Sequence, residues 1–245
     1  MKEEALINNN QIKIQGVVVG ELKFSHEVYG ENFFNFDVEI PRLSDSKDIL
    51  PVTISERLIE KERLQIGTVV LVEGQIRSYN SYNNIEKRNR LILTIFAREI
   101  EIAEEELSNL NPNEVFLNGF LCKKPIYRTT PFGREISDIL IAVNRAYNKS
   151  DYIPCIAWGR NARFTSNLAI GDNIRLLGRM QSRAYQKKLE TADVLEKVAY
   201  EVSISKIDVS KKESSDEYDS ENNYSENSYS ENVSDVSPDI QEEYI

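Results

Sequence analysis

The chain has 245 residues, 40% of them apolar and 29% charged, and a formal net charge of −10. That apolar content suffices for two modest cores. No apolar run is long enough to span a bilayer, so the expectation is a soluble protein with no membrane partner. His26 is the single histidine and Cys122 and Cys155 are the only cysteines, which leaves metal chemistry without a ligand set: no metal and no cofactor are expected, the cysteines read as small buried hydrophobes, and His26 reads as a loop residue.

The N-terminal residues, MKEEAL, hold no apolar signal segment, and the expectation that follows is a cytoplasmic protein. Phe34, Phe36, Val38 and Ile40 then alternate with Asn35, Asp37 and Glu39, the period of a half-buried strand, and similar runs recur at 52–54, 69–72 and 91–95. Between the third and fourth strands, residues 55–66 place Leu58 and Ile59 among Glu and Lys residues after a Ser. That predicts one short helix, closed by Gly67. Gly16 and Gly74 suit strands that bend sharply, as a small closed barrel requires. Five strands with one helix between strands three and four is the plan of an OB-fold. Residues 107–112, LSNLNP, read as a linker with a proline stop.

After the linker the same plan returns. A shift of 103 residues lays Gly30 on Gly133, Phe34, Phe36, Val38 and Ile40 on Ser137, Ile139, Ile141 and Val143, Arg42 on Arg145 and Pro51 on Pro154. At a shift of 104, Leu64, Ile66, Gly67 and Gly74 fall on Leu168, Ile170, Gly171 and Gly178, and at 107, Leu93, Ile95 and Ile100 fall on Tyr200, Val202 and Ile207. Solenoid units run roughly 20 to 50 residues, so a period near 100 means two tandem domains. The expected fold class is therefore all-β, two tandem five-stranded OB-fold barrels each with one short helix: a divergent domain at 1–106, a second at 113–209, and an acidic, disordered tail at 210–245. Charge separates the three. Lys and Arg against Asp and Glu number 13 to 19, 15 to 10 and 2 to 11, giving −6, +5 and −9. The second domain is the one equipped to meet an anion.

In the second copy, NGFLCKKP, FGREISDILIAVNRAY, DYIPCIAWGRNA, LAIGDNIRLLGRMQSRAY and AYEVSIS follow one another, and through 113–209 they resemble the bacterial single-stranded-DNA-binding protein family. The resemblance implies a binding protein without catalysis that coats single-stranded DNA in replication, recombination and repair. It also implies four base-stacking positions, held here by Tyr147, Tyr152, Trp158 and Tyr185. Aromatic platforms suit that task because every base has a π face, each stacked base being worth roughly 1–3 kcal/mol. Arg145, Arg160, Arg163, Arg179, Arg183, Lys187 and Lys188 lie in or beside the same strands as candidate phosphate contacts, which supply salt-dependent affinity but no sequence reading. Taken singly, strand aromatics are usually packing and strand arginines usually a solvated face. Their coincidence argues for a binding surface. Cys155 and Trp158 sit three apart on one strand and face opposite sides, and Trp158 is assigned to the open one.

The first copy is an internal control. The four aromatic positions become Ser44, Ile49, Ser55 and Ser81, while Arg134, Arg163, Arg175, Arg179 and Arg183 become Glu31, Glu60, Leu71, Gln75 and Tyr79, with only Arg42 and Arg57 kept. Its skeleton is retained and its DNA face is not, so it is expected to scaffold, dimerise or bind a protein, with Tyr79 and Tyr82 as a displaced stacking site. The tail repeats SENNY, SENSY and SENV and ends PDIQEEYI, a composition that does not fold alone. Family resemblance implies that its end, Glu242, Glu243, Tyr244 and Ile245, docks on replication or repair proteins, and that two chains form a homodimer with four OB domains. The alternative is a protein-interaction adaptor of the same machinery with incidental nucleic-acid binding.

Overall fold

The computed structural model describes residues 8–42, 44–83, 88–103, 111–188 and 194–210. Most of the linker and the whole acidic end, including Glu242, Glu243, Tyr244 and Ile245, lie outside them. The first copy forms β1 (Asn10–Val18), β2 (Lys23–Val28), β3 (Glu31–Pro41), β4 (Lys47–Ser55), β5 (Val69–Asn83) and β6 (Arg88–Ile102). The second forms β7 (Asn113–Leu121), β8 (Ile126–Thr129), β9 (Glu135–Asn144), β10 (Ser150–Trp158), β11 (Asn173–Lys188) and β12 (Val194–Ser210), with helix α1 (Arg160–Thr165) after β10. Among the described residues each copy thus shows six strands. The segment before the turn at Gly30 or Gly133 pairs with the strand after it as a strand of its own, and β2 corrects the reading of His26 as a loop residue.

The strand order β2-β3-β4-β6-β5-β1-β7-β11-β12-β10-β9-β8 reads the same from either end under the repeat, and the pairings β1–β3 and β7–β9 close each half into a barrel. Closure brings backbones into contact at the matched glycines. A Cβ on Gly16 or Gly119 would run into the carbonyl oxygen of Glu39 or Ala142, and one on Gly74 or Gly178 into that of Phe96 or Ser203. Only a residue without a side chain passes there. Inside the barrels the alternating aliphatics are fully buried, among them Ile14, Val38, Leu50 and Ile95 in the first copy and Leu117, Ile141, Ile153 and Ile174 in the second. Each contributes about 1.5–3 kcal/mol of burial free energy.

The helix expected in the first copy is reduced to a 3-10 turn, Lys61–Arg63. The residues meant to start it are engaged elsewhere: the Ser55 hydroxyl donates to Glu31, and the Glu56 carboxylate accepts from the backbone and side-chain nitrogens of Asn32 at 2.9–3.1 Å. The Ser55 hydroxyl still accepts from the Arg57 amide at 3.1 Å, but the Glu56 amide donates to Asn32 O of the facing strand at 3.0 Å, so the chain leaves β4 in a turn tied to β3 rather than in a helix.

One compact unit runs to Tyr79 and resumes from Leu93 to Ser210, so it holds both copies; the end of the β5–β6 hairpin, Asn80–Ile92, belongs to a second unit. Within the first unit β1 and β7 pair antiparallel. Asn10 lies opposite Leu117, Ile12 opposite Val115 and Ile14 opposite Asn113, and the repeat shift exchanges the first and last pairs while Ile12 meets its own equivalent. A local two-fold axis passes between Ile12 and Val115. Matching bonds recur on either side of it. Asn10 Nδ2 donates to Ile76 O and Asn113 Nδ2 to Met180 O, and the Ile76 and Met180 amides donate back to the Asn10 and Asn113 side-chain oxygens.

Candidate nucleic-acid interface

Along β10, Asp151, Ile153, Cys155 and Ala157 are buried toward the barrel, while Tyr152, Pro154, Ile156 and Trp158 alternate onto the other face. Cys155 is buried and Trp158 is 39% exposed. Across β9, Trp158 lies opposite Ile136, which in turn lies opposite Arg128 of β8. On the other flank Ile156 is level with Ser203 of β12, which lies opposite Arg179 of β11, so Gln181, Arg183 and Tyr185 continue this face. Tyr152, Trp158 and Tyr185 therefore share one surface of a continuous sheet. Tyr147 stands at its edge in the β9–β10 turn, 93% exposed.

Tyr147 and Asn148 both adopt positive φ, +61° and +54°, within a turn closed by Arg145 N donating to Lys149 O at 2.7 Å. Two left-handed residues in succession suit Asn and Gly, and a tyrosine there costs about 1 kcal/mol or more. The fold sustains this conformation at a side chain that packs on almost nothing, a combination typical of functional positions.

The cations fall into distinct groups. Arg160, at the start of α1, is exposed and has no acidic partner among the described residues. Arg183 lies 5.7 Å from the Tyr185 ring centroid, within cation–π range, and 3.9 Å from buried Glu201. Arg163 pairs with Glu135 at 3.2 Å. Glu135 precedes Ile136 and so points to the other side of β9, which draws Arg163 away from the Trp158 face. Arg145 and Arg179 are held at the seam between the copies. Lys187 and Lys188 end β11, and their side chains lie outside the described residues.

The seam is built around two buried aspartates at equivalent positions. Asp48 accepts from Arg42 at 2.5 and 2.8 Å, from Arg179 of the other copy at 3.2 Å and from the Ser182 amide at 2.7 Å. Asp151 accepts from Arg145 at 3.4 Å, from Arg77 of the other copy at 2.9 Å and from the Ser78 amide at 2.8 Å. Two more bonds cross in mirror fashion, Ile49 N to Ser182 Oγ at 3.0 Å and Tyr152 N to Ser78 Oγ at 2.7 Å. Burial pushes the Arg77 and Arg179 guanidiniums down from their ordinary value, with the facing aspartates pulling them back up. Asp138, paired with Arg128 at 2.9 Å on the same face as Ile156, has its carboxyl raised by burial, with Arg128 opposing.

The same face of the first copy is filled. His26 stacks on Phe33 at 4.8 Å and 5°, and Phe96 packs on Phe33 at 5.7 Å. Phe33 lies opposite Ser55, the counterpart of Trp158. Thr53 bonds Asn35 and Thr94, and Arg57 pairs with Glu31 at 3.3 Å. Sequence reasoning missed Asp48 and Asp151. A buried acid held by remote arginines has no local signature, although the identical spacing of Arg42–Asp48 and Arg145–Asp151 in the two copies was available.

Among the described residues no group of three His, Cys, Asp or Glu is placed to hold a metal ion, and no helix is long and apolar enough to cross a membrane. Residues 112–210 match the model of the single-strand binding protein family. The single-stranded DNA-binding protein of Clostridium tetani is 38% identical over 98 residues, 37% of this chain and 68% of that protein. Staphylococcus aureus single-stranded DNA-binding protein 1 is 37% identical over 83 residues, which make up 31% of this chain and half of that protein. The crystal structure of the wild-type single-stranded DNA binding protein of Thermus aquaticus superposes with a TM-score of 0.66 at 18% identity, covering 85% of this chain and 96% of that one, a likeness of fold. With the motifs of the second copy in order and two barrels joined in one chain, the protein belongs to the single-strand binding protein family, in its tandem OB-fold form.

Proposed function

We propose that the chain binds single-stranded DNA without sequence selection on the open face of its second copy, and that it acts by coating the strand in replication, recombination and repair rather than by catalysis. The observation that carries this reading is Trp158, exposed at the end of β10 on the face that continues to Arg183 and Tyr185, where the first copy has Ser55 under a cluster of rings. Bases stack on Tyr147, Tyr152, Trp158 and Tyr185, and phosphates are met first by Arg160 and Arg183, then by Lys187 and Lys188. Arg145 acts indirectly, by fixing the seam at Asp151 beside Tyr152, and Arg179 by fixing the equivalent part of the seam at Asp48. Two chains assemble to present four OB domains, and the acidic end recruits replication or repair proteins.

The adaptor reading draws on β2, an edge strand exposed throughout, with Phe24 62% accessible. Titration with oligo-dT, followed by Trp158 fluorescence, separates the two. The expected result is strong quenching that weakens as salt rises; no quenching at low salt overturns the DNA-binding reading and leaves the adaptor.

A further inference from the structure

Around the local two-fold axis, β5 of the first copy meets the start of β10 just as β11 of the second copy meets the start of β4. The Ser78 amide and hydroxyl bond Asp151 and the Tyr152 amide, and the Ser182 amide and hydroxyl bond Asp48 and the Ile49 amide. The next residue on each strand is where the two sides part. After Ser182, bonded to the Ile49 amide, comes Arg183; after Ser78, bonded to the Tyr152 amide, comes Tyr79. Tyr79 is 51% exposed. By alternation it continues the row of Gln75 and Arg77, the row that corresponds to Arg179, Gln181 and Arg183 on the other side.

With Ser78 Oγ 2.7 Å from Tyr152 N, the Cα atoms of Tyr79 and Tyr152 are within about 10 Å of each other, given standard chain dimensions. A separation within that bound lets two aromatic side chains meet neighbouring bases of one strand. At the opposite corner the residue equivalent to Tyr79 is a cation, Arg183, and the residue equivalent to Tyr152 is aliphatic, Ile49. The first copy thus lacks the counterparts of the four aromatics and carries Tyr79 next to Ser78, whose hydroxyl meets the Tyr152 amide.

We propose that Tyr79, contributed by the first copy, is a base-stacking platform of the second copy's binding face, so that the site is composite and is completed only across the seam. This rests on the DNA-binding reading above and sharpens it. The first copy becomes part of the binding surface rather than a scaffold alone, and the strand, running past Tyr152, is received by Tyr79 before it leaves the second copy.

The test uses the full chain and oligo-dT, with Trp158 fluorescence as the readout. Tyr79→Ala is expected to weaken binding roughly 5-fold or more, the low end of one lost stacking contact. Tyr79→Phe retains wild-type affinity, and Ile49→Ala, at the equivalent point of the other corner, leaves affinity unchanged. Tyr79→Arg, which restores the residue type of the other copy, steepens the salt dependence while losing affinity at high salt, as expected when a ring is exchanged for a charge. An oligonucleotide carrying 5-bromodeoxyuridine cross-links to Tyr79 under irradiation. Wild-type affinity in both Tyr79→Ala and Tyr79→Arg, with no cross-link at Tyr79, overturns the composite site while wild-type binding still stands. Absence of binding by the wild-type chain fails both readings together, so the two failures are distinguishable.

Discussion

At the end of β4 the first copy carries Ser55, bonded to Glu31 and opposite a phenylalanine that is itself covered by His26 and Phe96. At the end of β10 the second copy carries Trp158, open to solvent opposite an isoleucine, with an exposed arginine two residues on. The strands, the register and the glycines beneath these ends are the same. A barrel core is satisfied by alternating aliphatics and a few bare backbone contacts, so its outer face is free to change: one copy closed it with rings packed on one another and hydroxyls bonded in pairs, the other left rings facing water. An exposed tryptophan is a cost to a protein that binds nothing and an asset to one that stacks bases.

The largest effect is expected where the copies are alike. Asp48→Ala leaves Arg42 and Arg179 without the carboxylate between them and is expected to lower unfolding free energy by about 3–5 kcal/mol in urea denaturation, with Asp151→Ala in the same range. A loss below about 1 kcal/mol at either would mean that the seam does not depend on its buried acids. Where the copies differ, Trp158→Ala is expected to weaken binding of fluorescently labelled oligo-dT by about 1–3 kcal/mol, and Ser55→Ala to leave it untouched. Equal effects at the two positions would refute the assignment of binding to one face.

Charge gives a smaller contrast. Arg160 and Arg57 are equivalent, but Arg57 is paired with Glu31 at 3.3 Å. Arg160→Ala is expected to flatten the slope of log affinity against log salt by about 0.7, one single-strand phosphate contact, and Arg57→Ala to leave the slope as it is. The smallest effect belongs to Asp138. Its carboxyl is raised above the usual value of 3.8, so the folded protein favours the protonated form. The stabilising contribution is full below the ordinary value and lost as pH rises through the raised one. Asp138→Asn is expected to bind oligo-dT about two- to fivefold more tightly at neutral pH. The wild type approaches that affinity as pH falls through the raised value. The same pH profile in both proteins would remove Asp138 from the face.

The fold was legible because its signals are short-range. Alternation along 34–40 and 137–143 gives the strand faces, and Gly16 and Gly74 in one copy and Gly119 and Gly178 in the other mark the bends at matching places. The exposed face of the second copy was legible for the same reason, since Trp158 and Cys155 lie at odd separation on one strand. The helix of the first copy was not: its Ser-led, Leu- and Ile-containing pattern satisfies helix rules, and the bonds of Ser55 and Glu56 to Glu31 and Asn32 hold its first residues to another strand.

By itself the sequence determined that there are two copies of one barrel, which of them kept its aromatics and cations, and where the charge lies, because repeats, periodicity and composition are properties of the chain read in order. Only the tertiary structure decided which arginines are engaged by acids, that His26 covers Phe33, and that Ser78 brings Tyr79 to the neighbouring copy. Each of these joins residues from different strands or different copies, and such pairings are fixed by barrel closure and by the β1–β7 seam rather than by any local pattern.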